Sequence, residues 1–242
     1  MQISELFYSL QGEGKRSGYP SFFIRTNYCN LRCLFSSGNR CDTQYTSWTS
    51  IDSDNLGDIS IESILDEYKN YNCFDIVITG GEPTLYPDDL YNLCKEIKSR
   101  GNNFITLETN GTHYGKYNEF IDLVSLSPKL KSSSPFNTKY YDMHENSRIN
   151  PVVLKTYNDS HIHGFFDVQW KFVITGKEDI SEILELQKEI GFKNSDVYLM
   201  PEGITPEELS AKREMITGFC KEYKFNYTDR LQILIWGNKR GT

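Results

Sequence analysis

Short apolar, strand-like segments alternate with amphipathic, helix-like segments along the second two-thirds of the chain. The predicted strands lie at residues 75–79, 104–108, 122–127, 169–175, 197–200 and 231–236, and the predicted helices lie at 87–100, at 180–190 and after Thr205. Repeated strand–helix units favour a parallel sheet with right-handed crossovers. About six core strands are too few to close an eight-stranded barrel. The pattern therefore predicts an α/β fold, a partial, open (β/α) barrel of about six mostly parallel strands.

The length of the chain fits one domain. A chain of 242 residues suits a single domain over residues 1–242. Residues 131–150 interrupt the alternation, and the serine-rich run at 131–137 is typical of a loop. We expect a loop insertion at 131–150, either a plain surface segment or a lid over a site. The four histidines of the chain show no metal-binding spacing.

Composition argues against several classes of partner. A net charge of −7 argues against a broad nucleic-acid surface. No apolar run approaches the ~20 residues that a membrane-spanning helix needs, and the N-terminus does not resemble a signal peptide. Cys73, Cys94 and Cys220 are scattered, as buried thiols would be, and do not form a secreted disulfide framework. We expect a cytoplasmic enzyme with no membrane or nucleic-acid partner.

Three further cysteines are clustered. Cys29, Cys33 and Cys41 have the spacing Cys-x3-Cys-x7-Cys. An odd number of clustered cysteines does not suit a disulfide, and zinc would normally require a fourth Cys or His, which this segment lacks. Three thiolates can hold three irons of a [4Fe–4S] cluster and leave the fourth iron free for a small molecule. Spacing alone leaves the cluster, a disulfide and a zinc knuckle open.

A second motif, Thr79-Gly80-Gly81-Glu82-Pro83, closes the predicted strand at 75–79. Two glycines at the end of a strand let a ligand approach the backbone closely. Glu82 adds a carboxylate that could hold an ammonium group. Taken alone, a glycine pair is more often just a turn.

Together, the cysteine segment and the Gly-Gly-Glu-Pro strand end resemble the radical S-adenosylmethionine superfamily. The resemblance implies that the strand end binds the amino group of S-adenosylmethionine, whose methionine moiety chelates the open iron. Two features depart from the superfamily pattern. The usual spacing is Cys-x3-Cys-x2-Cys, and Arg40 stands where an aromatic residue commonly packs near the adenine.

Segments along the whole chain resemble one family within that superfamily, the 7-carboxy-7-deazaguanine synthases, in the family's order. They are residues 5–14, 18–25, 41–43, 108–112, 127–129, 200–203 and 236–241. The opening Gln-Gly-Glu-Gly at residues 11–14 is fairly specific to the family. The Gly-Gly-Glu-Pro element is shared across the superfamily and discriminates less.

The resemblance implies a site assembled from strand ends. The implied ligands of the [4Fe–4S] cluster are Cys29, Cys33 and Cys41. The implied S-adenosylmethionine-binding residues are Gly80, Gly81, Glu82, Glu108, Asn110, Ser127, Lys129 and Met200. The implied substrate-binding residues are Gln11, Gly12, Glu13 and Arg25. Thr43 matches the position that places a hydroxyl on Mg²⁺, and Asp42 either ligates or orients its neighbours.

The implied reaction converts 6-carboxy-5,6,7,8-tetrahydropterin to 7-carboxy-7-deazaguanine by radical ring contraction with loss of ammonia, in queuosine-type 7-deazapurine biosynthesis. An electron entering the cluster would cleave S-adenosylmethionine and release a 5′-deoxyadenosyl radical. The expected cofactors are the [4Fe–4S] cluster, S-adenosylmethionine and Mg²⁺. The expected partners are the small-molecule pterin, a flavodoxin- or ferredoxin-type electron donor and a second copy of the chain in a homodimer.

Two other classes of function stay open at this point. A glycyl-radical-enzyme activase shares the cluster and the sheet but acts on a protein. The pterin-type residues Gln11, Glu13 and Arg25 argue against it. A non-catalytic Fe–S or zinc binding module would leave the Gly-Gly-Glu-Pro strand end, Asn110 and Lys129 without a role.

Overall fold

A computed structural model describes residues 1–49 and 54–242 of the chain. The strands are β1 (Gln2–Leu10), β2 (Pro20–Thr26), β3 (Gly57–Asp58), β4 (Asp75–Gly80), β5 (Phe104–Thr109), β6 (Leu123–Leu126), β7 (Asp167–Ile174), β8 (Val197–Pro201) and β9 (Asn226–Tyr227). The helices are α1 (Ile61–Lys69), α2 (Pro87–Arg100), α3 (Tyr141–Ser147), α4 (Pro151–Ile162), α5 (Lys177–Ile190), α6 (Pro206–Tyr223) and α7 (Leu231–Trp236). No helix in these two ranges is long and apolar enough to cross a bilayer.

The strands form one mostly parallel sheet in the order β3-β1-β2-β4-β5-β6-β7-β8-β9. β1 runs antiparallel to both of its neighbours, and from β2 to β9 every neighbouring pair is parallel. The six longer parallel strands are β2 and β4 to β8. The edge strands β3 and β9 do not pair with each other, so the sheet stays open among the described residues. This architecture confirms the predicted partial, open (β/α) barrel.

Alternation along the strands separates the helix-packed core from a polar cavity. In β7, Trp170 and Phe172 are fully buried in the core, where Trp170 stacks on Phe192 with ring centroids 4.2 Å apart. Lys171, between them, lines the cavity instead. The same period of two places Arg25 of β2 on the cavity side. Charged side chains therefore collect on the face of the sheet that the helices leave uncovered.

The helices begin and end at residue types that favour helix termini. α2 begins at Pro87 and ends before Gly101. α5 ends at Gly191, whose φ of +87° is the left-handed conformation that glycine adopts without strain. Thr205 caps α6 by accepting a hydrogen bond from the amide of Glu208. These boundaries confirm the predicted helices, with α5 starting three residues earlier than expected.

The predicted final strand at 231–236 is wrong, because those residues form helix α7. The run Leu-Gln-Ile-Leu-Ile-Trp is short and apolar, and periodicity alone does not distinguish a strand from a helix at that length. β9 already occupies the edge of the sheet beside β8. The amide of Leu231 donates to the carbonyl of Gly12 at 3.0 Å, which ties α7 to the opening segment of the chain. Contacts with residues distant in the sequence therefore determine that residues 231–236 form a helix rather than a strand.

The segment 131–150, expected to be a loop insertion, contains regular structure. It begins with a 3-10 turn at Lys131–Ser133 and includes helix α3. Ser133 and His144 are buried, at 2% and 0% exposure. The segment is therefore packed into the domain over part of its length.

Candidate active site

One cavity of about 1320 Å³, including the part open to solvent, lies at the carboxyl ends of the parallel strands. Every residue to which the sequence analysis gave a role lines it. These residues are Gln11, Gly12, Glu13, Arg25, Cys29, Cys33, Cys41, Thr43, Gly80, Gly81, Glu82, Glu108, Asn110, Ser127, Lys129 and Met200. Segments distant in the sequence converge here because the carboxyl ends of parallel strands meet at one edge of a sheet.

The seven residues between the second and third cysteines fold back on themselves. Leu34 and Arg40 form an antiparallel β-bridge, and a turn connects them. Leu34 directly follows Cys33, and Arg40 directly precedes Cys41. The bridge therefore returns the chain to Cys33 before it reaches Cys41, so the long gap in sequence is a short gap in space.

The tip of this folded-back loop docks on the end of β8. Ser37 Oγ and Asn39 Nδ2 both donate to Glu202 Oε1, at 3.1 and 2.9 Å. Glu202 is only 3% exposed and also accepts a hydrogen bond from Lys212 at 2.9 Å. These contacts link the cysteine loop, which follows β2, to a strand near the other edge of the sheet.

The three clustered cysteines are free thiols in the described structure. Burial raises the pKa of Cys29 to about 12, and it raises the pKa values of Cys33 and Cys41 as well. No three Cys, His, Asp or Glu side chains in the described ranges converge tightly enough to hold one metal ion. Zinc needs such convergence, whereas a [4Fe–4S] cluster binds each thiolate at a different iron. All three thiols line the same cavity, and the segment holds no fourth Cys or His of the kind that zinc would normally require, so the donor set fits the cluster better than it fits zinc.

Gly81 marks the closest approach between the strand end of β4 and the cysteine loop. A Cβ at this position would lie 1.9 Å from the carbonyl oxygen of Tyr28, the residue before Cys29. The amide of Gly81 donates to Thr26 O at 3.0 Å, and the amide of Glu82 donates to Tyr28 O at 2.8 Å. The sequence analysis expected the glycines to admit a ligand, but the direction of the missing Cβ is filled by the chain itself.

Glu82 is 1% exposed and holds neighbouring strand ends together. Its Oε1 accepts from Thr84 N, Thr84 Oγ1 and Thr109 Oγ1, and its Oε2 accepts from Asn110 N at 2.7 Å. A carboxylate offers about four acceptor sites, two on each oxygen. Oε2 therefore retains capacity for one more donor at the cavity wall.

The remaining residues assigned to the cofactor also engage one another. Asn110 Nδ2 donates to Asn30 Oδ1 in the cysteine loop at 2.9 Å. Lys129 Nζ donates to both Ser127 Oγ and Ser127 O, at 2.7 and 2.9 Å. Met200 is buried at the end of β8. These groups are preorganised around the cavity by the ends of three strands and the loop.

The Gln-Gly-Glu-Gly opening is a turn packed against the C-terminal part of the chain. A Cβ on Gly12 would overlap Gln232 Oε1 at 1.7 Å, and one on Gly14 would meet Gln169 Nε2 at 2.2 Å. Gln11 Oε1 accepts the amide of Glu13 at 3.0 Å and so closes the turn. A residue other than glycine at either position would have to displace one of these glutamine side chains, and Gly14 also has a φ of +69°, which favours glycine. The side chains of Gln11 and Glu13 reach the cavity.

Lys171 forms the centre of a buried charge network that the sequence analysis missed. Its Nζ donates to Glu13 Oε2 at 2.5 Å and lies 3.6 Å from Glu108 Oε1. Burial opposes the charge on Lys171, but Glu108 and Glu13 outweigh burial and raise its pKa. Burial likewise opposes ionisation of Glu13, and Lys171 and Arg230 outweigh it and lower the pKa of that carboxyl. Glu13 and Lys171 are therefore both ionised at neutral pH.

Arg25 already has a partner within the chain. Its Nε donates to Glu5 Oε1 at 2.6 Å, and Tyr45 Oη donates to the same oxygen at 2.7 Å. The resemblance implies that Arg25 binds the substrate. The structure shows that Glu5 supplies an anion, so the charge of Arg25 is compensated before any ligand binds.

Asp42 and Thr43 lie beside the third cysteine. Thr43 Oγ1 is 3.3 Å from Cys41 Sγ, and Asp42 Oδ2 accepts from Arg230 Nη1 at 3.1 Å. Burial raises the pKa of Asp42, but Arg230 and Arg25 outweigh burial and lower it. An ionised carboxylate and a hydroxyl thus lie together at the cavity wall, and both are hard oxygen donors.

Sequence reasoning missed Lys171 and Arg230 for different reasons. The predicted strand at 169–175 places Trp170 and Phe172 on one face, so its alternation could have assigned Lys171 to the opposite, cavity face. Arg230 lies directly before the segment 231–236, which the sequence analysis assigned to a strand. No alternation of apolar and polar residues there places Arg230 at the cavity. Its contact with Asp42 spans almost the whole chain.

A solved structure shares this fold. The crystal structure of QueE from Escherichia coli superposes on this chain with a TM-score of 0.65 and 22% sequence identity. The match covers 95% of this chain and 93% of the QueE chain. At that identity the match supports the fold alone. It agrees with the open, mostly parallel sheet described above.

Sequence comparisons place the chain in a family. The Radical SAM superfamily model matches residues 23–216. A 7-carboxy-7-deazaguanine synthase from Halobacterium salinarum is 38% identical, with 98% of this chain and 91% of the relative covered. One from Rhodopirellula baltica is 37% identical, with 99% and 88% covered. The chain belongs to the radical S-adenosylmethionine superfamily and, within it, to the 7-carboxy-7-deazaguanine synthase family of enzymes.

Proposed function

We propose that this enzyme converts 6-carboxy-5,6,7,8-tetrahydropterin to 7-carboxy-7-deazaguanine, with loss of ammonia, in 7-deazapurine biosynthesis. The observation that carries the proposal is a shared cavity. The cysteine loop lines it together with the buried network of Gln11, Glu13 and Lys171. The family supports the reaction, and the polar network supplies groups for a flat, nitrogen-rich substrate.

The cofactor residues are assigned as follows. Cys29, Cys33 and Cys41 hold a [4Fe–4S] cluster, which with S-adenosylmethionine supplies the one-electron chemistry that removes a hydrogen atom from the substrate. The free acceptor capacity of Glu82 binds the amino group of the methionine moiety. The Gly80–Gly81 backbone and the strand ends of β5, β6 and β8 contribute the rest of the binding surface, through Glu108, Asn110, Ser127, Lys129 and Met200.

The substrate is held by complementary charges and hydrogen bonds. Glu13 accepts hydrogen bonds from the N–H edge of the pterin, and Gln11 offers both an acceptor and a donor. Arg25 uses Nε for Glu5, and we assign its Nη groups to the substrate carboxylate. Gly12 shapes the wall beside Gln232. Preorganised ion pairs reduce the reorganisation needed when the substrate binds.

The proposal is tested by anaerobic turnover. Enzyme reconstituted with iron and sulfide is mixed with S-adenosylmethionine, a chemical reductant and the carboxy-tetrahydropterin. We expect mass spectrometry to detect 7-carboxy-7-deazaguanine, ammonia and 5′-deoxyadenosine. Cleavage of S-adenosylmethionine without conversion of the pterin would contradict the substrate assignment. Glycyl-radical formation on a supplied protein would favour the activase.

We expect Thr43→Val to remove the response of turnover to Mg²⁺. Valine keeps the shape of threonine but has no oxygen for a hard cation. The parent enzyme should turn over faster when Mg²⁺ is added, and the variant should not, while iron content per chain stays the same. A titration of initial rate against Mg²⁺ checks this. An unchanged response in the variant would rule out Thr43 as a ligand.

We expect Arg25→Met to lower kcat/KM for the pterin by about 10²-fold, since about 1.4 kcal/mol corresponds to tenfold and a charge-assisted hydrogen bond contributes more than a neutral one. Arg25→Lys keeps the charge but loses the planar fork, so weak substrate binding should persist. Uncoupled cleavage of S-adenosylmethionine should change little in either variant.

Glu5→Gln is the matched control for Arg25, because it removes the internal anion and leaves the guanidinium in place. We expect it to lower kcat/KM by less than about tenfold, the size of one ordinary hydrogen bond. If Arg25→Met instead prevents cluster assembly and leaves pterin affinity unchanged, Arg25 is structural and the substrate assignment fails.

A further inference from the structure

His144 of α3 is fully buried, and the site described above does not use it. Its Nδ1 accepts the backbone amide of Arg32 at 3.2 Å. A neutral ring that accepts at Nδ1 carries its proton on Nε2. Ser133 Oγ lies 3.4 Å from Nε2 and donates its own hydrogen to Leu130 O at 2.7 Å, so it can accept a hydrogen bond from Nε2–H. Burial keeps the ring neutral by lowering its pKa to about 4.

A second hydrogen bond joins the same segment to the cysteine loop. The amide of Leu34 donates to the carbonyl of Ser133 at 2.9 Å. Arg32 and Leu34 are the two neighbours of Cys33, whose side chain reaches the cavity. Ser133 and His144, hereafter the clamp, therefore hold the backbone on both sides of one cysteine. Trp48 Nε1 adds a hydrogen bond to the carbonyl of Cys33 itself at 3.2 Å.

The clamp is itself anchored to the body of the domain. Arg148, one residue past the end of α3, donates to Glu145 at 2.9 Å and to Glu182 of α5 at 2.5 Å. It also donates to the carbonyl of Lys129, which follows β6, at 3.0 Å. A hydrogen bond to a mobile segment would constrain little, but these contacts connect the clamp to a core helix and a strand end.

We propose that His144 is a positioning residue for the iron–sulfur cluster, holding the amide of Arg32 so that the Cys33 thiolate stays aimed into the cavity. The proposal rests on the cluster ligands assigned above but not on the identity of the substrate. Some groups do not contact a metal but hold its ligands in place. Their removal typically lowers metal affinity by roughly 10–100-fold. Without the imidazole, the partly buried amide of Arg32 loses its acceptor and the loop is free to rearrange.

The test compares His144→Leu with His144→Asn. Leucine fills the space without an acceptor, whereas the Asn side-chain oxygen lies about where Nδ1 lies and can accept the Arg32 amide. His163→Leu, at an exposed position just past the C-terminal end of α4, is the control for loss of a histidine. Each reconstituted enzyme is exposed to an iron chelator under anaerobic conditions, and iron release is followed with time. The thermal unfolding midpoint of each metal-free chain is measured in parallel.

We expect His144→Leu to release iron roughly 10–100-fold faster than the parent, and His144→Asn and His163→Leu to stay close to the parent. Equal release by His144→Leu and the parent would overturn the proposal. Equal, fast release by the Leu and Asn variants would also overturn it, since a purely structural role gives that result. If His144→Leu does not fold, His144→Asn is compared with His144→Gln, whose longer amide cannot occupy the Nδ1 position. Faster release by Gln supports the proposal, and equal release overturns it.

Discussion

Replacing Cys41 by alanine is expected to abolish assembly of a complete [4Fe–4S] cluster and reductive cleavage of S-adenosylmethionine. The residue is the strictest test of the cluster assignment, because its distance in sequence from Cys33 departs from the usual spacing. The Leu34–Arg40 bridge returns the chain to Cys33, so Cys41 is placed to complete the ligand set. With only two thiolates left in the loop, one more iron lacks a protein ligand. The anaerobic absorption spectrum, iron content and 5′-deoxyadenosine yield measure the effect.

Cys220→Ala is the matched control. Cys220 is also a buried free thiol, but it lies on α6 in the hydrophobic core. The control should bind a full complement of iron and retain cleavage activity. Cys29→Ala and Cys33→Ala should behave like Cys41→Ala. A Cys41→Ala enzyme with the parent spectrum and parent cleavage activity would show that the third ligand lies elsewhere.

Replacing Gly81 by alanine is expected to destabilise the chain strongly. The new Cβ would lie 1.9 Å from Tyr28 O and 3.1 Å from Cys29 N, and both are backbone atoms that cannot turn aside. Relief of the overlap requires separation of the end of β4 from the cysteine loop, with loss of the hydrogen bond from Glu82 N to Tyr28 O and strain on the one from Gly81 N to Thr26 O. Overpacking of this kind costs about 3 kcal/mol. At roughly 2–4 °C per kcal/mol for a chain of this size, the unfolding midpoint should fall by roughly 6–12 °C.

Circular dichroism of the metal-free chain measures the midpoint, and reconstitution then measures the loss of iron binding. Gly218→Ala is the control, because Gly218 lies within α6 and a Cβ there meets no atom within 4 Å. Alanine is the better helix former, so the control should be slightly more stable than the parent, by about 0.5–1 kcal/mol. If Gly81→Ala unfolds at the parent temperature and still binds iron, the close packing described for this strand end is wrong.

The architecture was predictable wherever local signals agreed with one another. Pro87 and Gly101 bound α2, and Thr205 and Pro206 start α6, because caps and breakers act through the local backbone. The collection of site residues at one edge of the sheet was also predictable, since parallel strands place their carboxyl ends together. The roles assigned to those residues stay predictions until the experiments above are done.

Other features depend on contacts that no local pattern encodes. Residues 231–236 are apolar enough for a strand, yet β9 and the contact with Gly12 make them helix α7. Glu5 compensates the charge of Arg25 because β1 pairs with β2, and the two residues lie directly opposite each other in that pair. His144 accepts a hydrogen bond from the backbone amide of Arg32, and a contact of this kind leaves no spacing pattern in the sequence. Each of these requires the tertiary structure to be known first.

The folded-back loop between Cys33 and Cys41 also bears on how such proteins are found and classified. Because Leu34 and Arg40 pair at its base, residues added between them lengthen the tip without moving the two cysteines apart. In this chain the tip reaches Glu202 beyond β8. A search pattern that fixes the number of residues between the last two cysteines would pass over this chain, whereas one that allows a variable hairpin there would recover it.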